Sequence, residues 1–354
     1  MKPTHPLKVL IVDDAVVFRR GLSDAFSEVP YVDVVGVAAN GKIALMKIPI
    51  LNPDAVILDV EMPEMDGIET LHVLREQYPH IKVIMFSVHT TRGARKTMQA
   101  LSLGAIDFVP KPKSASAYQI QFSKIREEFL PKLHLLSHQT SISRTKPRVQ
   151  PAARPHPVLP IINRQQCDII AIASSTGGPN ALTALLPKIA HAVNVGILIV
   201  QHMPPLFTRQ FAITLDQKTE YSVREAVTGD IVEKDVILIA PGNYHMVVKP
   251  LAGEHRIALH QGPLENGCRP AADVLFRSVA KVYGKRALSI VLTGMGKDGM
   301  KGAREMKARG ATIIAQDKES SIAWGMPRSV IEAELADMVL PLDNIAAAVN
   351  WIIS

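Results

Sequence analysis

Cysteine is almost absent from the chain. Cys167 and Cys268 are its only two, far apart and without metal-site spacing, which excludes a disulfide framework and a cysteine-rich zinc site. Long apolar runs are missing as well: none approaches the roughly 18 residues of a membrane span. The N-terminal MKPTHPLKVL carries no signal-peptide pattern, so a soluble, cytoplasmic chain with no integral membrane segment is expected. Acidic residues are lacking between Glu128 and Asp168, where Lys132, Arg144, Lys146, Arg148, Arg154 and Arg164 all lie. The net charge of +7 therefore belongs mainly to one segment, and neither half of the chain carries the basic face that nucleic-acid binding needs.

What is present suits two buried cores. At 354 residues, 47% of them apolar, the chain exceeds one ordinary domain of ~150 residues. Between Phe129 and Gln166, SHQTSISRTKPRVQPAARPHPVLP is rich in Pro, Ser, Arg and Gln and keeps no periodicity, the composition of an exposed basic tether. The expected organisation is a first domain over 1–128, a linker over 129–166 and a second domain over 167–354.

In the first domain, apolar runs alternate with polar or helical segments: VLIV before Asp13, AVILDV around Asp59, KVIMFS ending at Ser87 and AIDFV before Lys111. This pattern predicts a doubly wound parallel α/β fold, whose strand C-termini line the ligand crevice. Asp13, Asp14, Asp59, Ser87 and Lys111 all fall at those ends. Three carboxylates held together call for a cation, and hard oxygen ligands suit Mg²⁺. With such an ion in place, Asp59 can attack a phosphoryl group, Lys111 can neutralise phosphate oxygens and the Ser87 hydroxyl can donate to the new phosphate.

KVLIVDD, DAVILDVEMPEMDGIETL, MFS and GAIDFVPKP together resemble the receiver domain of two-component response regulators. The resemblance implies a flavodoxin-like fold with Asp59 as phospho-acceptor. It makes Asp13 and Asp14 the acidic pair holding Mg²⁺ beside Asp59, with the Glu61 carbonyl completing the ligand set. Ser87 and Phe108 match the switch positions, and Lys111 the lysine of the KP motif.

The second half is again strand and helix: DIIAIAS, VGILIVQ, VILIAPG, LSIVLTG and TIIAQ, with helical spacing in AADVLFRSVAKVYG and DGMKGAREMKARG, and HMVVKP with RIALHQ expected as a hairpin. A mostly parallel, Rossmann-like sheet is expected. Its first strand runs into Ser174, Ser175 and Thr176, then Gly177, Gly178 and Pro179, a turn that presents hydroxyls and backbone N–H groups at a helix N-terminus. Such a corner serves a nucleophile with its oxyanion, or binds a phosphate, or is an ordinary cap. Serine chemistry also needs a base and an acid behind it. His202 and Asp298 follow strands that end in the same crevice, while His191, His245, His255, His260, Asp273 and Asp317 compete for the two roles. The order Ser, His, Asp is that of neither α/β-hydrolases nor the familiar proteases.

ASSTGGPNAL, IVQHMPPLFT, APGNYHM, RPAADVLF, VLTGMGKDG and IAQDKESSIAWGMP, in this order, resemble the catalytic domain of the chemotaxis protein-glutamate methylesterases, the CheB family. The resemblance implies Ser175, not Ser174, as nucleophile, His202 as base and Asp298 as acid, with Thr176 and the Met295 N–H at the oxyanion or orienting the site. One departure is Ala173, where the family usually has glycine. The resemblance further implies hydrolysis of glutamate γ-methyl esters on methyl-accepting chemoreceptors, deamidation of receptor glutamines, and activation by a chemotaxis histidine kinase through Asp59. The esterase step calls for no cofactor, and a monomer is expected. Two rivals lack their signals: a DNA-binding output domain would need a helix-turn-helix, and a nucleotide-binding loop the lysine of a P-loop.

Overall fold

Short runs of Ile, Val, Leu and Ala pair side by side because each is apolar on both faces, the composition of a strand covered by helices above and below. In the computed structural model, which describes residues 6–112, 118–143, 166–190, 195–251 and 253–353, they build two compact α/β units. The first runs β1 (Leu7–Val12), α1 (Val16–Phe26), β2 (Val32–Ala38), α2 (Gly41–Leu51), β3 (Ala55–Asp59), α3 (Gly67–Gln77), β4 (Lys82–Ser87), α4 (Thr91–Ser102), β5 (Asp107–Pro110) and α5 (Tyr118–Ser143). Its sheet is parallel in the order β2-β1-β3-β4-β5. The chain reverses direction across the sheet at β1 and β3, which opens a crevice at their C-terminal ends.

The expected linker start at 129 falls inside α5. Phe129, Leu133 and Leu136 recur at helical spacing and bury against Phe26, Ile11 and Phe86, with the Phe129 ring edge-on to Phe26 at 5.9 Å and to Phe86 at 5.5 Å. Lys132 pairs with Asp107 at the start of β5. The helix continues because this apolar stripe completes the core, and Pro131 is carried within it. The basic residues from 144 to 164 lie outside the described residues.

The second unit runs β6 (Ile169–Ser174), α6 (Gly178–Leu185), β7 (Gly196–Gln201), α7 (Phe207–Asp216), β8 (Ser222–Glu225), β9 (Val236–Ile239), β10 (His245–Leu251), β11 (Glu254–His260), α8 (Ala272–Tyr283), β12 (Ala287–Val291), α9 (Met300–Ala308), β13 (Thr312–Gln316), α10 (Gly325–Glu332), β14 (Met338–Leu340) and α11 (Leu342–Ile353). Seven strands pair in parallel in the order β14-β13-β12-β6-β7-β9-β8, and β10 and β11 form the expected antiparallel hairpin. From β12 the strands β13 and β14 move outward in chain order, while on the other side β7 follows β6 and β9 inserts between β7 and the edge strand β8. The switch point lies between β6 and β12, where Ala173 pairs with Val291.

Candidate active site and phosphorylation pocket

In the first unit the parallel order gathers the expected residues at one end of the sheet. Lys111 Nζ lies 2.7 Å from Asp13 Oδ2 and 2.7 Å from Asp59 Oδ2. Asp13 and Asp59 are buried and Asp14 is exposed, and one carboxylate oxygen from each falls within 4.8 Å of the others. Burial pushes the Asp59 carboxyl up to about 6, against the attraction of Lys111 and with added repulsion from Asp13. Asp13 is raised by the same cause. Three carboxylates with a single buried lysine leave uncompensated negative charge around a set of hard oxygen donors, so the residues fit Mg²⁺. Arg19 donates to the main-chain carbonyls of Asp13 and Asp14 at 2.6 and 2.8 Å and pins the acidic pair. The Lys111 ammonium also sits 4.6 Å from the Phe18 ring centroid. The Ser87 hydroxyl, fully buried, donates to the Gly93 carbonyl at 3.3 Å, and Phe108 is buried opposite Met85. The side chain of Glu61 turns to Arg92 at 2.9 Å, which leaves its carbonyl as the group available to an ion.

In the second unit the two serines part company. Ser174 ends β6 with its side chain in the core, where its hydroxyl donates to Gln201 Oε1 at 2.6 Å. Ser175, one residue on, faces the crevice half-buried. Its main chain is tied down: its N–H donates to the Thr293 carbonyl at 3.0 Å, and its carbonyl accepts from Gln201 Nε2 at 3.0 Å and the Gly178 N–H at 2.8 Å. Gly177 takes φ 76° to turn the chain into α6. A Cβ on Gly294 would come within 3.0 Å of the Ser175 Cβ and 2.3 Å of Met326 Sδ, so the loop after β12 lies directly on the serine. Met295 stands next on that loop, and the Thr176 carbonyl accepts from Thr293 Oγ1 at 2.9 Å.

His202 follows β7, and its N–H donates to the Ser174 carbonyl at 3.2 Å, which holds it at the level of the serine turn. Nε2 lies 2.8 Å from Asp298 Oδ2, and the other ring nitrogen, Nδ1, meets Cys268 Sγ at 3.7 Å. Asp298 is 2% exposed yet fully satisfied. It accepts from the N–H groups of Ala272 at 2.6 Å, Asp273 at 3.1 Å and Gly299 at 3.0 Å, from Asn266 at 2.8 Å and from His202. Burial opposes its ionisation, but the bond and charge of His202, with the Ala272 and Asp273 N–H groups, hold the carboxyl below its ordinary range. For His202 burial opposes the charged ring, and the Asp298 and Cys268 contacts outweigh it, raising the imidazole to about 10. Among the described residues Ser175 Oγ makes no hydrogen bond, a looseness common before substrate closes such a site.

Most of the competing groups are used elsewhere. His245 is buried and bonds the Pro263 carbonyl, His255 packs on Tyr283, His260 stacks on His245, Asp273 accepts from the Gly302 N–H, and Asp317 takes the Ser320 N–H. His191 lies outside the described residues. The sequence carries no local signal for the contacts of Phe18, Gln201 and Cys268. Only Asn266-Gly267 had a local signal, the dipeptide of a tight turn.

A parallel α/β unit with an acidic cluster and a buried lysine at its switch point, followed by one with a serine, histidine and acid at its own, defines a response regulator with a hydrolase-like output. Residues 9–119 match the response regulator receiver domain, and residues 170–349 match the CheB methylesterase domain. The chain is 45% identical over 341 residues to a protein-glutamate methylesterase/protein-glutamine glutaminase of Trichodesmium erythraeum, with 96% of this chain and 97% of that one covered. It is 41% identical to the protein of that name from Pyrococcus horikoshii, over 97% and 92% of the two chains. The crystal structure of the Thermotoga maritima CheB methylesterase catalytic domain matches with a TM-score of 0.51 and 41% identity, covering 52% of this chain and 97% of that domain. The chain belongs to the CheB methylesterase family and carries a receiver domain. Among the described residues no helix is long and apolar enough to cross a membrane.

Proposed function

We propose that the chain hydrolyses glutamate γ-methyl esters on methyl-accepting chemoreceptors, using Ser175, His202 and Asp298, and that phosphorylation of Asp59 activates it. The observation that carries the reading is the pairing of His202 with the buried, ionised Asp298 beside the Ser175 turn. Asp298 fixes Nε2 as the protonated nitrogen, so Nδ1 accepts the Ser175 proton as Oγ attacks the ester carbonyl. The Met295 N–H and the Thr176 side of the corner face the developing oxyanion. The imidazolium passes its proton to the departing methoxide, releasing methanol. Water, deprotonated by the same nitrogen, then frees glutamate and regenerates the serine. Attack on a glutamine side-chain amide follows the same path and releases ammonia, the second activity in the names of the relatives.

In the receiver, Asp13, Asp14 and Asp59, with the Glu61 carbonyl, would hold Mg²⁺. The bound ion supplies the positive charge that phosphoryl transfer needs. The Asp59 carboxylate is the acceptor, Lys111 steadies the phosphoryl oxygens, and the Ser87 hydroxyl leaves the Gly93 carbonyl to bond the phosphoryl group. That movement, with Phe108, carries the signal to the esterase. The phosphodonor is a chemotaxis histidine kinase, and the protein acts in the cytoplasm as a monomer.

The test is methanol release from methylated chemoreceptor membranes by wild type and Ser175→Ala, with and without a small phosphodonor and Mg²⁺. Release that needs Ser175 and rises with phosphodonor supports both halves. Release that ignores the phosphodonor removes the gate, and release that survives Ser175→Ala removes the nucleophile.

A further inference from the structure

Between β11 and α8 the chain makes a two-residue turn; a side chain in it reaches Asp298, and the residue that closes it reaches His202. Glu265 and Cys268 exchange main-chain hydrogen bonds at 3.1 and 2.9 Å. The residues between them, Asn266 at φ 54° and Gly267 at φ 77°, are both left-handed, as a type I′ turn requires. The turn is anchored on either side. Arg277 of α8 grips Glu265 through two bonds of 2.7 and 2.5 Å, and Arg269 donates to Asn243 Oδ1 and the Gly262 carbonyl at 2.7 Å each. From this platform Asn266 Nδ2 donates to Asp298 Oδ1 at 2.8 Å and to Asp273 Oδ2 at 2.9 Å, while Cys268 Sγ rests 3.7 Å from His202 Nδ1.

Asp273 is a second buried carboxylate beside the acid. Its other oxygen takes the Gly302 N–H at 2.6 Å, and burial, with Asp298 among its charged neighbours, raises its carboxyl. Two carboxylates this close share a site only if something between them offsets their repulsion. An amide NH₂ does so with one hydrogen for each oxygen, and it has no proton to lose at any working pH.

We infer that Asn266 is a positioning residue for the acid–base pair: its amide separates Asp273 from Asp298, keeps Asp298 ionised and holds Oδ2 on His202 Nε2. The inference rests on Asp298 being the acid of the esterase. Without the amide, Asp273 faces Asp298 directly. The proton affinity of Asp298 then rises, and the imidazolium of His202 is stabilised. Both changes remove active enzyme from the acidic side.

Asn266→Gly is the clean test, since glycine keeps the left-handed turn and loses only the amide. With methylated receptor membranes and the full chain, kcat falls about tenfold to a hundredfold with KM little changed, and the acidic limb of kcat/KM moves to higher pH. Asn266→Asp, also at home in this turn, adds a third carboxylate and falls further. Asn266→Asp with Asp273→Asn transposes the charge and recovers most of that further loss. A turn with a merely structural role would lower the thermal midpoint without moving the acidic limb. A wild-type kcat and limb in Asn266→Gly, or no recovery in the transposed pair, overturns the inference while Asp298→Asn stays inactive. Full activity in Asp298→Asn overturns the assignment of the acid and the inference with it.

Discussion

Asp298 meets His202 through Nε2, at 2.8 Å, so the ring presents Nδ1 to the crevice. A carboxylate in this place fixes the tautomer and stabilises the imidazolium, which sets how much its removal costs. Asp298→Asn is expected to lower kcat about 10⁴-fold with little change in KM, measured as methanol release. A loss under tenfold would assign the role elsewhere.

The same pairing gives a pH dependence. The His202 imidazole is raised from 6.5 to about 10, so the neutral base becomes commoner as pH climbs through that window, and kcat/KM should climb with it. Stability runs the other way. A raised folded-state value contributes stability that is complete below the unfolded imidazole value and is lost as pH rises toward 10. Thermal unfolding of the second unit should therefore move to lower temperature over the range in which activity rises, and His202→Gln should flatten both curves.

On the proposed mechanism, Ser174 and Ser175 should separate stability from catalysis. Ser174→Ala leaves Gln201 Oε1 without its 2.6 Å donor in the core and should cost about 1–3 kcal/mol in denaturant unfolding while turnover persists. Ser175→Ala should do the reverse. Equal loss of turnover in the two variants would mean that the serine turn acts as one unit.

Lys111 is the counter-charge of a buried pair of carboxylates. Lys111→Met leaves Asp13 and Asp59 unpaired and should destabilise the first unit by about 3–5 kcal/mol near neutral pH. Because Asp59 is raised to about 6, the folded state binds protons more readily than the unfolded chain between 3.8 and 6. Stability therefore falls as pH rises through that window, and the variant should regain part of its loss on acidification. A deficit independent of pH would deny the electrostatic origin.

The end of the receiver is set by packing, so Phe129→Ala should cost about 3–5 kcal/mol, and a receiver cut at residue 128 should unfold at far lower denaturant than one ending at 143. Matching midpoints would restore the shorter boundary.

The buried strands were legible because their apolar runs are continuous. The edge strands were not: β2, β8 and β14 carry exposed or polar residues such as Asp33, Arg224 and Val339, and no central-strand pattern survives there. The end of α5 is hidden in the sequence because the Pro-, Ser- and Arg-rich stretch that follows has the composition of a tether, whereas Phe129, Leu133 and Leu136 answer to core partners distant in sequence. In the site, the strand-end residues could be read from their positions. The choice between Ser174 and Ser175 depends on Gln201, a neighbour on the next strand, and the contacts of Asn266 depend on a turn reaching across to α8. Pairings between distant segments leave no local trace.

Three of the five donors to Asp298 belong to the main chain, at Ala272, Asp273 and Gly299. Short of proline, changing the side chain at these positions leaves the N–H in place, so these three bonds depend on the path of the backbone and not on a donor side chain. The His202 ring instead depends on side chains, at Asp298 and Cys268. Constraint around Asp298 therefore falls on residue size and backbone conformation, with Ala272 and Asp273 buried and Gly299 at φ 94°, whereas on the histidine side of the crevice it falls on particular side chains.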